Sequence, residues 1–190
     1  MNLFLKRLGG FYKYRFLMQQ LVTKDIKLKY RRSFLGYLWS ILNPLMVMVI
    51  MVIVFSNMFR SDIVNFPVYL IIGQTLYNFM SESTTQAIFS IIGNASLLKK
   101  TYVPKYVFTV SKITSSFVNM VFALGALVIV FVVCRVVPNV FYLFIPVILL
   151  QEYLFCLGLG MLLAQGCVFF RDIQHIYNAV LTAWMYLTPL

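Results

Sequence analysis

Long apolar runs alternate with short connectors along this chain, and its basic residues collect in every second connector. A bilayer core of roughly 30 Å is crossed by about 20 helical residues. Each run is long enough, or nearly so, to cross it. The five runs extend over residues 34–59, 66–92, 107–134, 141–170 and 173–190. The pattern therefore predicts an all-α fold, a polytopic bundle of transmembrane helices with five apolar segments.

The placement of positive charge predicts the orientation of this bundle. With the N-terminus in the cytoplasm, 14 of the 16 Lys and Arg residues lie on the cytoplasmic side, and only Arg60 and Arg135 lie outside. Cytoplasmic loops of membrane proteins carry such an excess of Lys and Arg. The formal net charge of +11 thus follows from membrane topology, and we expect no nucleic acid partner.

Residues typical of catalysis or metal binding are scarce. The only histidine, His175, has no nucleophile or metal-ligand companion in the sequence, and the three cysteines are scattered in or beside apolar runs. No glycine-rich phosphate loop or metalloprotease motif is present. We therefore expect no catalytic residue, metal or cofactor on this chain. If ATP powers the protein, another subunit must bind the nucleotide.

The first 33 residues differ from the rest in their dense positive charge. Helical spacing places apolar and aromatic residues on one face and basic residues on the opposite face. The apolar face comprises Phe11, Tyr14, Met18, Leu21 and Leu28. We expect residues 1–33 to form an amphipathic helix among the cytoplasmic lipid headgroups, ahead of a transmembrane domain at 34–190. The alternative is a charge cluster that only directs insertion. The residues expected at the interface are Lys24, Lys27, Arg31, Arg32 and Trp39.

One predicted span carries an unusual polar stripe. Its members, Gln74, Asn78, Glu82 and Gln86, recur every fourth residue, which places them on one helix face. Glu152 lies about ten residues into a later run, near the middle of the membrane. Ionisable groups inside a span normally face a bundle interior or a water-filled cavity. These five residues are candidates for a translocation path, and the alternative is a hydrogen-bonded seam between helices.

Three stretches on the predicted cytoplasmic side carry a family resemblance. Residues 25–44 read DIKLKYRRSFLGYLWSILNP and residues 94–105 read NASLLKKTYVPK. Residues 170–175 read FRDIQH and are followed by WMYLTP at 184–189. In order and placement, these stretches resemble the membrane subunit of type-2 ABC transporters of the polysaccharide and polyol phosphate export family. That family includes exporters of O-antigen, capsule and teichoic acid.

The resemblance implies a permease of six spans in the bacterial cytoplasmic (inner) membrane. It also implies a homodimer that works with two copies of a separate P-loop ATPase, which would hold ATP and Mg, and a lipid-linked glycan as substrate. Because a sixth apolar segment is missing, we expect a chain truncated at its C-terminus. The alternatives are a type-2 exporter of a drug or small lipid, and a membrane scaffold or glycolipid-synthesis protein.

The resemblance further implies which residues contact the ATPase. In such permeases the N-terminal amphipathic helix and the loop after the second span make this contact. Carried over to this chain, the coupling candidates are Asn94, Lys99, Lys100, Tyr102, Pro104, Lys105, Arg171 and Asp172. For Lys99 and Lys100 the alternative is plain cytoplasmic charge. For Arg171 and Asp172 it is an ion pair that orders the turn.

Overall fold

The computed structural model describes residues 12–31, 33–58, 66–100, 102–135 and 140–188, and all regular structure in these ranges is helical. The α-helices are α1 (Arg15–Tyr30), α2 (Trp39–Met58), α3 (Phe66–Ser90), α4 (Ala95–Lys100), α5 (Tyr106–Val133), α6 (Ile145–Phe169) and α7 (Ile173–Leu187). Short 3-10 turns precede α2, α4 and α6. The all-α prediction is confirmed for the described part of the chain.

Three stretches of the described residues are long and apolar enough to cross a bilayer: Gly36–Val54, Tyr106–Val133 and Tyr142–Phe169. They coincide with the first, third and fourth predicted spans. Helix α3 has 25 residues and is about 37 Å long, but its polar side chains lower its hydropathy. Helix α7 has 15 residues and is about 22 Å long. That α3 and α7 also cross the membrane stays a prediction.

Helix α3 lies at the centre of the bundle and contacts α2, α5, α6 and α7. One apolar cluster includes Phe79 of α3, Ile113 of α5 and Tyr177 of α7. A second cluster includes Met48 of α2 and Ile71 of α3. Because neighbours surround α3, much of its surface faces protein groups. That position allows a helix with a carboxylate and several amides to belong to an otherwise apolar bundle.

Helix α6 approaches α3 and α5 closely through small residues. Cys156, Gly160 and Ala164 follow one another at four-residue intervals, and all three are buried. A Cβ atom at position 160 would lie 2.8 Å from Cδ1 of Ile113 and 3.0 Å from Cβ of Ala87. Small residues permit such close approach of helices. The missing side chain at Gly160 therefore fixes how near α6 lies to the other two helices.

Helix α1 packs on α5 from outside, and none of its residues is fully buried. Tyr14, Met18 and Leu21 are half-buried, in keeping with their assignment to one face. Leu28, which was assigned to the same face, is 51% exposed, so the amphipathic assignment stays a prediction. The last turns of α1 meet the bundle through polar side chains such as Asp25. The placement of α1 among lipid headgroups stays a prediction.

Candidate functional site

An open polar groove of about 630 Å³ lies between α1, α2, α3 and α5. Helix α3 supplies many of its polar side chains because residues four apart share one helix face. At the start of α2, Pro44 lacks the amide that would bond the carbonyl of Ser40. The lining residues are Lys29, Tyr30, Trp39, Ser40, Asn43, Pro44, Thr75, Asn78, Phe79, Ser81, Glu82, Thr85, Gln86, Ser116, Asn119, Met120 and Ala123.

Glu82 is the electrostatic centre of this groove. Its Oε1 atom accepts a hydrogen bond from Nζ of Lys29 at 2.7 Å, from Nε2 of Gln86 at 2.9 Å and from Nδ2 of Asn119 at 3.4 Å. The side chains of Lys29 and Glu82 are 44% and 33% exposed, so solvent screens their attraction. The pair nevertheless leaves the groove without net charge.

A second ion pair and a tyrosine complete the attachment of α1. Nζ of Lys112 on α5 donates to Oδ1 of Asp25 at 2.9 Å. The hydroxyl of Tyr30 donates to Oδ1 of Asn119 at 3.3 Å. Helix α1 thus contributes an acid at 25 and a base at 29, one turn apart, and the bundle offers the opposite charges. A shift of α1 by one turn would bring like charges together, so the pairs favour a single register.

A smaller cavity of about 460 Å³ lies on the other side of the Lys29–Glu82 pair. Lys29, Glu82, Gln86 and Asn119 line both cavities, whereas Asp25 and Lys112 line only the smaller one. The ion pair therefore forms part of the wall between the two.

The structure brings together three of the five candidates for the translocation path. Asn78, Glu82 and Gln86 line the groove. Gln74 is absent from the lining, and its Oε1 is buried without a hydrogen-bond partner among the described residues. Glu152 lies on α6, away from the groove, and its Oε2 is likewise buried without a partner in the described part of the chain. The path role of all five stays a prediction.

The coupling candidates near α4 are mostly exposed. Lys99 and Lys100 end α4, and both are exposed, as are Tyr102 and Lys105. Asn94 and Pro104 are half-buried. Nδ2 of Asn94 donates to the carbonyl of Ser90 at 2.8 Å, which holds the turn between α3 and α4.

Helix α1 reaches these candidates at its other end. The Tyr14 hydroxyl lies 3.5 Å from the backbone carbonyl of Tyr102. Arg171 and Asp172, the remaining coupling candidates, are exposed in the turn between α6 and α7. Among the described residues no ion pair joins these two side chains, so the alternative of a turn-ordering pair is not supported. The carbonyl of Asp172 instead accepts from the backbone amide of His175 at 2.9 Å.

The predicted interfacial residues lie on the outward side of α1 and at the groove. Lys24, Lys27 and Arg31 are exposed and line a shallow surface depression. Trp39 is 40% exposed at the start of α2. The predicted positions Phe11 and Arg32 lie outside the described residues. Exposed Phe16 and Leu28 share the depression with the basic residues, so this surface mixes apolar and cationic groups.

Sequence reasoning missed the partners that hold α1 in place. Lys29 was not distinguished from its basic neighbours, and Asp25 was not considered as a contact. A signal was available, because Asp25 is the only acidic residue among the first 33 and is followed by Lys29 at the i+4 position. The pairing of Asp25 with Lys112 of α5 was likewise not anticipated.

Apolar spans around a polar, partly charged groove define a polytopic membrane protein. The profile of the ABC-2 type transporter family matches residues 17–190, and the chain belongs to that family. The resemblance seen in the sequence is thus confirmed at the level of the family, whose permease subunits are transport components rather than enzymes.

Three relatives show how far the similarity extends. The chain is 34% identical over 179 residues to the O-antigen export system permease protein RfbA of Myxococcus xanthus, which covers 94% of this chain and 69% of that protein. It is 30% identical over 175 residues to RfbA of Klebsiella pneumoniae, with 92% and 68% covered. It is 24% identical over 166 residues to the capsule polysaccharide export inner-membrane protein CtrC of Neisseria meningitidis, with 84% and 62% covered.

Proposed function

We propose that this chain is the membrane-spanning permease subunit of an ATP-powered exporter of lipid-linked polysaccharide or polyol phosphate polymer. The observation that carries the proposal is the 34% identity to an O-antigen export permease over 94% of the chain. Similarity to a second O-antigen permease and to a capsule export protein supports the same substrate class. The protein would lie in the bacterial cytoplasmic membrane with its N-terminus inside.

The proposed exporter contains two permease copies and two copies of a separate P-loop ATPase. ATP and Mg would bind to the ATPase. The ATPase would contact the permease at the exposed cluster of Lys99, Lys100, Tyr102 and Lys105, and its movement would be transmitted there. Arg171 and Asp172 would form a second contact. Support comes from the accessibility of these side chains and from the basic charge of α4.

Helix α1 provides a physical route from the ATPase contact to the polar groove. One end of α1 contacts the backbone at Tyr102, and the other end contacts Glu82 through Lys29. A 16-residue helix spans about 24 Å, so a tilt at one end displaces the other. We propose that closure of the ATPase pair moves α1 against α3 and α5 and so changes the groove.

The proposal is tested with the full-length protein in a bacterium from which its gene has been deleted. We expect the deletion strain to lose its surface polysaccharide and to retain the lipid-linked polymer inside the cell. Complementation should restore the surface polysaccharide. Affinity purification of the full-length permease should also recover a P-loop ATPase. Unchanged surface polysaccharide in the deletion strain contradicts the proposed substrate class. Recovery of an ATPase in that case would favour a type-2 exporter of a drug or small lipid.

A further inference from the structure

The wall of the groove between α1, α2, α3 and α5 is rich in amide side chains but carries no net charge. Asn43 and Asn78 are exposed residues of this wall, and Gln86 and Asn119 complete the set. Each amide offers both donors and acceptors. A sugar hydroxyl group also both donates and accepts hydrogen bonds, so it can bond to an amide-lined surface. Among the described lining residues the only charges are Lys29 and Glu82, which neutralise each other at 2.7 Å.

An aromatic surface lies beside these amides. Trp39 lines the groove and is 40% exposed, so part of its indole is open to a ligand. The apolar C–H face of a sugar ring packs on such a surface while its hydroxyls remain free to bond the amides. Tyr30 of α1 adds a second aromatic ring to the lining.

A buried hydroxyl gives independent evidence that the groove receives a polar ligand. Ser116 lines the groove, is only 1% exposed, and its Oγ has no hydrogen-bond partner among the described residues. Buried side-chain hydroxyls ordinarily have a partner. The volume of about 630 Å³ falls within the range of roughly 300–1,000 Å³ that is typical of small-molecule sites.

We propose that this groove binds uncharged sugar residues of the exported glycan, an inference that rests on the proposed export function. The groove is poorly suited to the phosphate of the lipid carrier, because a phosphate is bound best by cations that are not already paired. A short segment of the glycan would lie in the groove, with one sugar ring stacked on Trp39 and its hydroxyl groups bonded to Asn78 and Ser116.

Photo-cross-linking in cells tests this proposal directly. Asn78→p-benzoylphenylalanine is introduced into the full-length permease, and Phe89→p-benzoylphenylalanine serves as a near-isosteric control. Phe89 lies on the same helix, is exposed, and does not line the groove. We expect an adduct that reacts with a sugar-specific reagent at position 78 and not at 89. It should vanish in cells that cannot make the polymer. A permease that still exports but gives no sugar adduct at 78 overturns the proposal.

Thiol protection extends the test to a small side chain, in case the bulky photoprobe blocks export. Asn78→Cys is labelled with N-ethylmaleimide in three strains: one that makes polymer, one blocked at the first sugar transfer, and one restored. Labelling should be several-fold slower wherever polymer is made. Equal labelling rates in all strains would show that the groove is empty and would overturn the proposal. Equal protection when only the sugar-free lipid carrier is present would also overturn it, in favour of a phosphate site. Surface polysaccharide, measured in parallel, separates this outcome from failure of the export function.

Discussion

Nζ of Lys29 lies 2.7 Å from Oε1 of Glu82 and joins the N-terminal helix to the most polar helix of the bundle. The two residues are 53 positions apart in the chain. The pair is part of the groove wall and is also one of the contacts that hold α1. A change in the position of α1 would therefore change the shape of the candidate substrate site.

Glu82→Ala is expected to reduce export far more than it reduces stability. Both partners are partly exposed, so the pair contributes roughly 0.2–1 kcal/mol to stability. Its loss, however, leaves the Lys29 ammonium unpaired in the groove and removes the acceptor of Gln86 and Asn119. Surface polysaccharide and the melting temperature of the purified protein measure the two effects. The charge-swapped variant Lys29→Glu with Glu82→Lys should recover part of the export, and normal export by Glu82→Ala would contradict a role in transport.

Removal of both acids that hold α1 should expose this helix to proteolysis. In the double variant Asp25→Ala with Glu82→Ala, Lys112 and Lys29 both lose their partners. We expect faster tryptic cleavage after Lys24 and Lys27 in inside-out vesicles than in the wild type. Asp172→Ala is the control, since this exposed carboxylate forms no ion pair in the described part of the chain. Equal cleavage rates in all three proteins would show that the ion pairs are not needed and that apolar packing and the tyrosine hydrogen bonds hold α1.

The sequence predicted the long helices well because their apolar length is a local property. The apolar runs that contain α2, α5 and α6 can each be recognised without knowledge of what they touch. The stripe of Gln74, Asn78, Glu82 and Gln86 was also a local prediction, since four-residue spacing alone places its members on one face. Three of the four line the groove and Gln74 does not, so spacing defined the face but not its contacts.

The attachment of α1 could not be predicted in the same way. Nine basic residues precede position 33, and spacing alone does not show which one reaches a carboxylate 53 residues away. The contacts of α1 depend on the shape of α5, which spacing within α1 does not reveal. Glu152 was grouped with the stripe because of its depth. It lies instead on the small-residue face of α6, four residues before buried Cys156.

Gly160→Ala should destabilise the bundle, whereas Gly158→Ala should not. A Cβ at position 160 meets Ile113 and Ala87 at 2.8 and 3.0 Å, and overpacking of this kind costs about 1–3 kcal/mol. At Gly158 nothing lies within 4 Å, so alanine there gains about 0.5–1 kcal/mol of helix propensity. Thermal unfolding in detergent measures both variants. Ile113→Val should partly rescue Gly160→Ala, and equal melting temperatures for the two alanine variants would refute the predicted packing.

Tyr102→Cys should be labelled only from the cytoplasmic side. The side chain is fully exposed beside α4, and the charge distribution predicts a cytoplasmic position. A membrane-impermeant maleimide should therefore react in inside-out vesicles and not in intact spheroplasts. Arg135→Cys is the matched site on the predicted outer side and should give the reverse result. Labelling of position 102 in spheroplasts would overturn the topology and, with it, the assignment of the coupling cluster.

Lys99→Ala with Lys100→Ala should weaken attachment of the ATPase. Both ammonium groups are exposed at the end of α4, next to the backbone that Tyr14 contacts. Exposed charges contribute mainly to encounter and orientation, so we expect reduced co-purification of the ATPase at low salt. The difference from the wild type should shrink at high salt, where the attraction of the two lysines is screened in the wild type as well. Arg135→Ala removes an exposed positive charge from the predicted outer side and serves as the control. If the Lys99 and Lys100 double variant retains as much ATPase and exports as well as this control, the two lysines supply only topogenic charge. The contact would then come from α1, from Arg171 and Asp172, or from the neighbouring Tyr102.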